Sequence, residues 1–296
     1  MSFSVGIIGL PNVGKSTLFK ALTKNPVGIA DYPFTTIHPN VGLVAVPDKR
    51  LEKIAQVIKP EKITPTVIEF VDIAGLVKDA HKGEGLGNQF LAQIRNCDAL
   101  VEVVKAFDNA SNASIEKDIE IIKTELEKKD LESKEKENLL SKKPILYVFN
   151  INEQRTKNNE QELKQMFSFP CSLFIDLKLE VEISEMSESE IKELGIASKL
   201  DQMILSCYDI LSLITFYTIT RGKETRAWTL KKGLRVPVAG GIVHSDFETK
   251  FIRAEVISAQ KLIAAGSWKQ ARELGQILTT GKEYVVEDGD VVEFKI

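Results

Sequence analysis

The chain has 296 residues, 43% of them hydrophobic, which suffices for a sizeable core in one large domain or two. Its 39 Lys and Arg against 42 Asp and Glu leave a net charge of -3, which excludes a global electrostatic pull toward nucleic acid or anionic membrane and confines any RNA contact to a local patch. Three widely spaced cysteines, Cys97, Cys171 and Cys207, lie in apolar surroundings and read as buried thiols in a reducing compartment, not as a disulfide framework or metal site.

The chain opens on Phe3 to Ile8 without a basic leader or small-residue cleavage site, so this run reads as a first core strand and not as a signal peptide. Further apolar runs follow at Thr66 to Ile73, Ala99 to Phe107, Pro144 to Asn150 and Cys171 to Leu177. Several are apolar throughout, as strands buried on both faces of a parallel sheet should be. With helical patterns between them, they predict an α/β sheet carrying helices on both faces. From Glu116 to Lys143 most residues are charged, while Ile115, Ile119, Ile122 and Leu126 keep helical spacing. This predicts one exposed helix or a short helical hairpin. A polar, acidic connector, Glu182 to Leu194, precedes an amphipathic helix from about Ser198 to Leu211. The tail then changes character. Short strands at Thr215 to Ile219, Thr225 to Leu230, Phe251 to Val256, Tyr284 to Val286 and Val291 to Phe294 predict a second, small α+β domain from about residue 213. Glu287-Asp288-Gly289-Asp290 is read as a hairpin turn joining the last two. The longest apolar stretch, Met203 to Ile219, is interrupted by Asp209 and hydroxyl residues and is too broken to span a membrane, so a cytoplasmic protein is expected.

Gly9-Leu10-Pro11-Asn12-Val13-Gly14-Lys15-Ser16 fits G-x-x-x-x-G-K-[ST], directly after an apolar strand and before the helical pattern Thr17 to Thr23. In such a loop the glycines let the backbone wrap an anion, with Asn12 to Thr17 as nucleotide-binding positions. Successive N–H groups and the helix N-terminus supply positive charge, Lys15 reaches the β- and γ-phosphates, and the Ser16 hydroxyl ligates Mg2+. Asp72-Ile73-Ala74-Gly75 closes a strand, which would place the Asp72 carboxylate near the magnesium, through water, and the Gly75 N–H near the γ-phosphate. Asp31-Tyr32-Pro33-Phe34-Thr35-Thr36 lies where a switch loop would present a threonine to magnesium, and Thr36 is the candidate ligand in preference to Thr35.

These segments resemble those of the YchF family, the Obg-like ATPases, a translation-factor-related branch of the P-loop GTPases. The resemblance rests on Gly9 to Thr17, on Asp31 to Asn40, on Phe70 to Val77 and on Gly83 to Phe90. The tail, with Arg226-Ala227-Trp228-Thr229 and His244-Ser245-Asp246-Phe247-Glu248, is similar to that family's TGS domain, a β-grasp module. The resemblance implies an Obg-type nucleotide-binding domain over residues 1–196 with a shortened helical insertion at 116–143, a linking helix at 197–212 and a TGS-like domain at 213–296. It also implies the ribosome as partner.

Guanine-specific relatives carry N-K-x-D, whose aspartate accepts from two guanine N–H donors. This chain has instead Asn150-Ile151-Asn152-Glu153, resembling the N-x-x-E that the family links to ATP. Adenine offers an acceptor at N1, which a carboxylate aimed there would repel, so Asn150 and the Ile151 backbone are expected to read the base, with Glu153 completing the motif. Lys178-Leu179-Glu180 looks like the end of the next base-side loop, where Asp176 and Leu177 replace the serine and alanine usual in the family. Leu76 stands where many relatives use glutamine to orient the attacking water, so slow turnover is expected from Lys15, magnesium and backbone donors. The family's loop histidine has no counterpart in Asp108 to Ser114, which leaves His81 as a substitute candidate, while His38 and His244 read as structural. Asn12 matches the asparagine with which potassium-activated relatives bind a cation and is the candidate K+ ligand. The resulting expectation is a ribosome-associated switch that hydrolyses ATP to ADP and phosphate. A GTPase in ribosome assembly and a nucleotide-regulated binding module with negligible turnover are the alternatives.

Overall fold

A computed structural model describes residues 3–24, 40–73, 86–107, 111–132, 139–152, 171–220 and 222–296, with no side-chain description for 86–90 and 188. The chain forms two compact units, one from Phe3–Val44 and Ile68–Leu211, the other including Ala45–Val67 and Ser212–Ile296.

The first unit is built on a six-stranded sheet. Its strands are β1 (Phe3–Ile8), β2 (Val41–Ala45), β4 (Val67–Asp72), β5 (Ala99–Lys105), β6 (Ile145–Asn150) and β7 (Ser172–Ile175), in the order β2-β4-β1-β5-β6-β7. Pairing is parallel from β4 through β1, β5 and β6 to β7. Burial is most continuous at the centre of the sheet, β5 from Ala99 to Val104 and β1 from Val5 to Ile8 without a break, because helices cover both faces of a parallel sheet. The expected α/β architecture is therefore present. Its helices are α1 (Lys15–Thr23), α3 (Leu86–Asn96), α4 (Asn112–Glu132), α5 (Leu177–Glu185), α6 (Glu188–Leu194) and α7 (Leu200–Ile210).

Three sequence expectations change here. First, α4 starts at Asn112 rather than near Glu116, and it buries Ile115, Ile119, Ile122 and Leu126 as their spacing predicts. The return leg among the described residues is a 3-10 turn, Leu140–Lys142, held by the Asp130 carboxylate, which accepts from the Leu140 and Ser141 amides at 2.8 Å each. Second, the stretch read as an acidic connector is helical. Asp176 caps α5, and Ser187 with Glu190 forms a capping box at the start of α6, a signal present in the sequence as S-x-x-E. Third, the expected linking helix, α7, belongs to the first unit, where Met203, Ile204, Cys207 and Tyr208 are buried.

The second unit also carries a six-stranded sheet, from β3 (Lys62–Thr64), β8 (Leu213–Thr220), β9 (Glu224–Lys231), β10 (Arg253–Ser258), β11 (Leu278–Thr280) and β12 (Asp290–Lys295), in the order β11-β10-β12-β8-β9-β3. Its sequence-distant member is β3, which pairs in parallel with β9. Helix α2 (Lys49–Ile58) comes with it. Leu51, Ile54, Ala55 and Ile58 form a stripe at 0, 3, 4 and 7 spacing, and Leu51, Ile54 and Ile58 pack in one cluster with Tyr217, Ala227 and Val291. The segment expected inside the nucleotide-binding domain thus contributes to the other unit. Helices α8 (Val236–Val243) and α9 (Ser245–Thr249) belong to this unit, as do α10 (Ala259–Ala265) and α11 (Trp268–Glu273). No hairpin joins the last two predicted strands. Val285 forms only a bridge to Arg235, and β12 pairs antiparallel with β10 and parallel with β8. The Asp290 carboxylate accepts from the Glu287 amide and the Tyr284 hydroxyl, both at 2.9 Å, so the acidic turn closes on itself and feeds an interior strand.

Candidate nucleotide-binding site

In a parallel sheet, ligands gather outside the carboxyl ends of the strands, where neighbouring connections leave in opposite directions. Here β1 lies between β4 and β5, and the loop after Ile8 enters that crevice. Register aligns Ile7 with Asp72, Lys105 with Asn150, and Asn150 with Ile175, so the catalytic and base-side candidates end at one edge of the sheet.

The phosphate loop has the backbone its sequence demands. Gly9 has φ 149° and Gly14 φ 113°; a Cβ on Gly9 would lie 2.5 Å from the Val103 carbonyl, and one on Gly14 2.7 Å from Asn150 Nδ2. Asn12 sits at φ 62°, a left-handed conformation that asparagine tolerates. No side chain caps α1, which leaves the first-turn amides to an anion. Lys15 is buried and its Nζ donates to the Leu10 carbonyl at 2.8 Å. Burial lowers its pKa while Asp72 works in the opposite direction, as fits an ammonium poised for a stronger anionic partner. The Ser16 Oγ and Asp72 Oδ2 are 3.3 Å apart. A hydroxyl and a carboxylate at that separation suit neighbouring positions around Mg2+, with its metal–oxygen distances of about 2.1 Å.

A cleft of about 660 Å3 runs from this loop to the base side of the sheet. Asn12, Gly14, Lys15, Ser16 and Thr17 line one part; Phe107, Asn150, Ile151, Asn152, Asp176, Leu177 and Lys178 line the rest. Val13 is not part of the lining, because its side chain is buried in the core. Asn150 does more than face the cleft. Its Nδ2 donates to the Val13 carbonyl at 2.9 Å, and its Oδ1 accepts from the Leu177 amide at 3.3 Å. One buried side chain thereby braces the phosphate loop against the loop carrying Asp176 and Leu177. Phe107 is not singled out from sequence, and Asn152 and Asp176 enter there only as members of the base-side segments, without a role of their own in the site. Their positions after strand ends, at 105, 150 and 175, are the available signal. Thr36, Gly75, Leu76, His81 and Glu153 lie outside the described residues. Cys97 and Cys207 are buried thiols, and Cys171 is partly exposed. Among the described residues no helix is long and apolar enough to cross a membrane.

Comparison with known proteins agrees with this geometry. Residues 4–151 match the family described as 50S ribosome-binding GTPase, and residues 213–296 match the YchF-GTPase C-terminal family, described as a protein of unknown function. The ribosome-binding ATPase YchF of Bacillus subtilis is 40% identical, with 100% of this chain and 99% of that protein covered. The alignment runs over 364 positions against 296 residues here, so that relative carries residues this chain lacks. The ribosome-binding ATPase YchF of Haemophilus influenzae is 38% identical over 100% of this chain and 99% of its own length. The solved structure of the Schizosaccharomyces pombe YchF GTPase superposes with a TM-score of 0.84 at 30% identity, covering 99% of this chain and 98% of its own. With its phosphate loop, its two units and its whole length matched in this way, the chain belongs to the YchF family of P-loop NTPases.

Proposed function

We propose that this chain binds Mg-ATP in the cleft and hydrolyses it slowly to ADP and phosphate, as a cytoplasmic, ribosome-associated switch. The observation that carries the reading is the junction of Lys15, Ser16 and Asp72 at the mouth of an uncapped helix, with Ser16 Oγ 3.3 Å from Asp72 Oδ2. The amides of Gly14 to Thr17 and the Lys15 ammonium hold the β- and γ-phosphates and offset charge that grows on them during cleavage. Ser16, Thr36 and, through water, Asp72 would hold Mg2+, which when bound neutralises phosphate charge. Gly75 supplies a further N–H to the γ-phosphate.

Base choice follows from the missing N-K-x-D and from Asn150-Ile151-Asn152-Glu153. The ribosome is the partner through the relatives' names, with any RNA contact local because the net charge is only -3. Leu76 cannot orient water, so turnover depends on positioning, on His81 as a substitute group, and on K+ beside Asn12. A nucleotide-regulated binding module with negligible turnover is the second reading, and the aliphatic Leu76 is what favours it.

One set of titrations and rates tests the proposal: ATP, GTP and their diphosphates against wild type and Lys15→Ala, then phosphate release in potassium and sodium chloride at matched ionic strength. The expected outcome is tighter binding of ATP than of GTP, loss of triphosphate binding in a folded Lys15→Ala protein, and faster release in potassium that Asn12→Ala removes. Unchanged ATP affinity in Lys15→Ala overturns the site; equal rates in both salts overturn the cation.

A further inference from the structure

We propose that Asp176 is a specificity-determining residue of the cleft, its free carboxylate oxygen accepting a hydrogen bond from the exocyclic 6-amino group of adenine. This rests on the ATP reading above and names a side chain that enforces it. The phosphate loop fixes one part of the cleft, so a nucleotide reaching from it sets its base among Phe107, Asn152, Asp176 and Lys178. Asn150 also lines that part, but its amide already has a partner at each end. Asp176 is held differently. Its Oδ1 accepts from the Lys178 and Leu179 amides at 3.1 and 3.0 Å, which pins the side chain as the N-cap of α5. Its Oδ2 makes neither of these bonds and sits on a partly exposed residue lining the cleft.

A carboxylate so anchored offers one fixed acceptor oxygen. Adenine presents a donor at position 6, where guanine presents a carbonyl acceptor, so Oδ2 attracts the first and repels the second. Guanine's paired donors at N1 and the 2-amino group need both oxygens of a carboxylate, and here one is spent on the helix cap. The negative charge strengthens the single bond, because hydrogen bonds to ionised groups exceed neutral ones.

The test uses ATP, GTP and purine riboside triphosphate, which lacks the 6-amino group, against wild type, Asp176→Ser and Asp176→Ala. Serine keeps an N-cap acceptor for α5 but is too short to reach the base, and thermal unfolding of both variants verifies the fold. For wild type, removing the 6-amino group is expected to weaken binding about tenfold or more, the scale of a charged hydrogen bond. In Asp176→Ser and Asp176→Ala the same removal should change affinity less than about twofold, and GTP should gain on ATP. A penalty for the missing 6-amino group as large in the variants as in wild type overturns the assignment, provided wild type prefers ATP. Loss of GTP binding in the variants with ATP unchanged also overturns it, since Asp176 would then read guanine. A wild type that holds ATP and GTP equally overturns the ATP reading itself, and this inference with it.

Discussion

Asn150 shows how much one side chain can do when both ends of its amide are used. Replacing it by alanine leaves the Val13 carbonyl and the Leu177 amide without their bonds in a buried place, at a cost of about 1–3 kcal/mol. Because those two groups belong to the phosphate loop and the base-side loop, Asn150→Ala is expected to lower ATP affinity about tenfold or more and to lower the urea midpoint together. Nucleotide titration and equilibrium denaturation check both. A second buried polar residue serves no site described above. Glu102, in the middle of β5, is only 2% exposed, and its Oε1 has no hydrogen-bond partner among the described residues. Burial, reinforced by Asp118 on α4, pushes its pKa up to about 8. Tyr147 on β6 is raised in turn to about 12 by its own burial and by Glu102. The folded state therefore holds a proton on Glu102 that the unfolded chain releases. Stability from this group is complete below about pH 4.5, declines as pH rises toward about 8 and stays reduced above it. Glu102→Gln cannot ionise, so it should flatten that decline and stabilise the protein at pH 8 by a few kcal/mol, on the order set by the shift. Urea unfolding at pH 5 and pH 8 measures the difference; an equal effect at both values would show that ionisation is not the cause.

At the scale of elements, α2 is fastened to the second unit by packing and by charge. The Asp48 carboxylate caps α2 through the Arg50 amide and accepts from the Arg50 guanidinium and the Tyr217 hydroxyl, while Arg50 reaches Asp288 at 2.5 Å. Burial disfavours the Asp48 charge, yet the bonds from Arg50 and Tyr217 outweigh it and hold its pKa below the ordinary 3.8. A lowered carboxylate pKa adds stability above that value and loses it as pH falls below. Asp48→Asn keeps a cap but removes the charge, so it should cost about 1–3 kcal/mol near neutrality. Acid titration of unfolding should find that cost shrinking below about pH 4. Ile54→Ala, at a fully buried position under the same sheet, should cost about 2–5 kcal/mol at every pH.

These elements also show what the sequence makes legible. Five of the six strands of the first sheet are readable because burial on both faces leaves mostly apolar runs, and the phosphate loop because its glycines and lysine have no cheaper use at that spacing; β2, short, with Gly42 inside it and only Leu43 and Val44 buried, is missed. The partnership of α2 and β3 is not readable. Leu51, Ile54 and Ile58 announce a helix with one apolar face, but nothing in that spacing says which sheet the face will meet. The Asn150 brace is hidden for a related reason, since it depends on three loops brought together only by the parallel register. Asp176 is half visible, as a helix cap whose other oxygen acquires a purpose only once the cleft exists.

Over the whole molecule, the chain leaves the first unit after β2, builds part of the second, and returns with β4. Cutting the chain after Leu211 therefore yields the whole first unit with an orphaned piece of the second inserted in it. Such a fragment keeps the phosphate loop, Asp72 and Asn150 but deprives α2 of Tyr217, Ala227 and Val291. It is expected to retain ATP binding and to be cleaved within 45–67 by a trace of protease far faster than the full chain. Gel analysis of timed digests gives the answer, and equal resistance of 45–67 in both would mean that segment needs no second unit. The same crossing of units sets an order of events during synthesis. Thr64 and Glu224, whose side chains are joined by a hydrogen bond, are 160 positions apart. At about 5–20 residues per second, the β3 edge and the apolar stripe of α2 wait roughly 8–30 seconds for their partners. For that interval the nascent chain presents an open strand edge beside an uncovered greasy face, a combination that invites pairing with neighbouring chains. Guarding against misassembly thus falls to the moments before release, when the tail that will seal the fold has yet to be made.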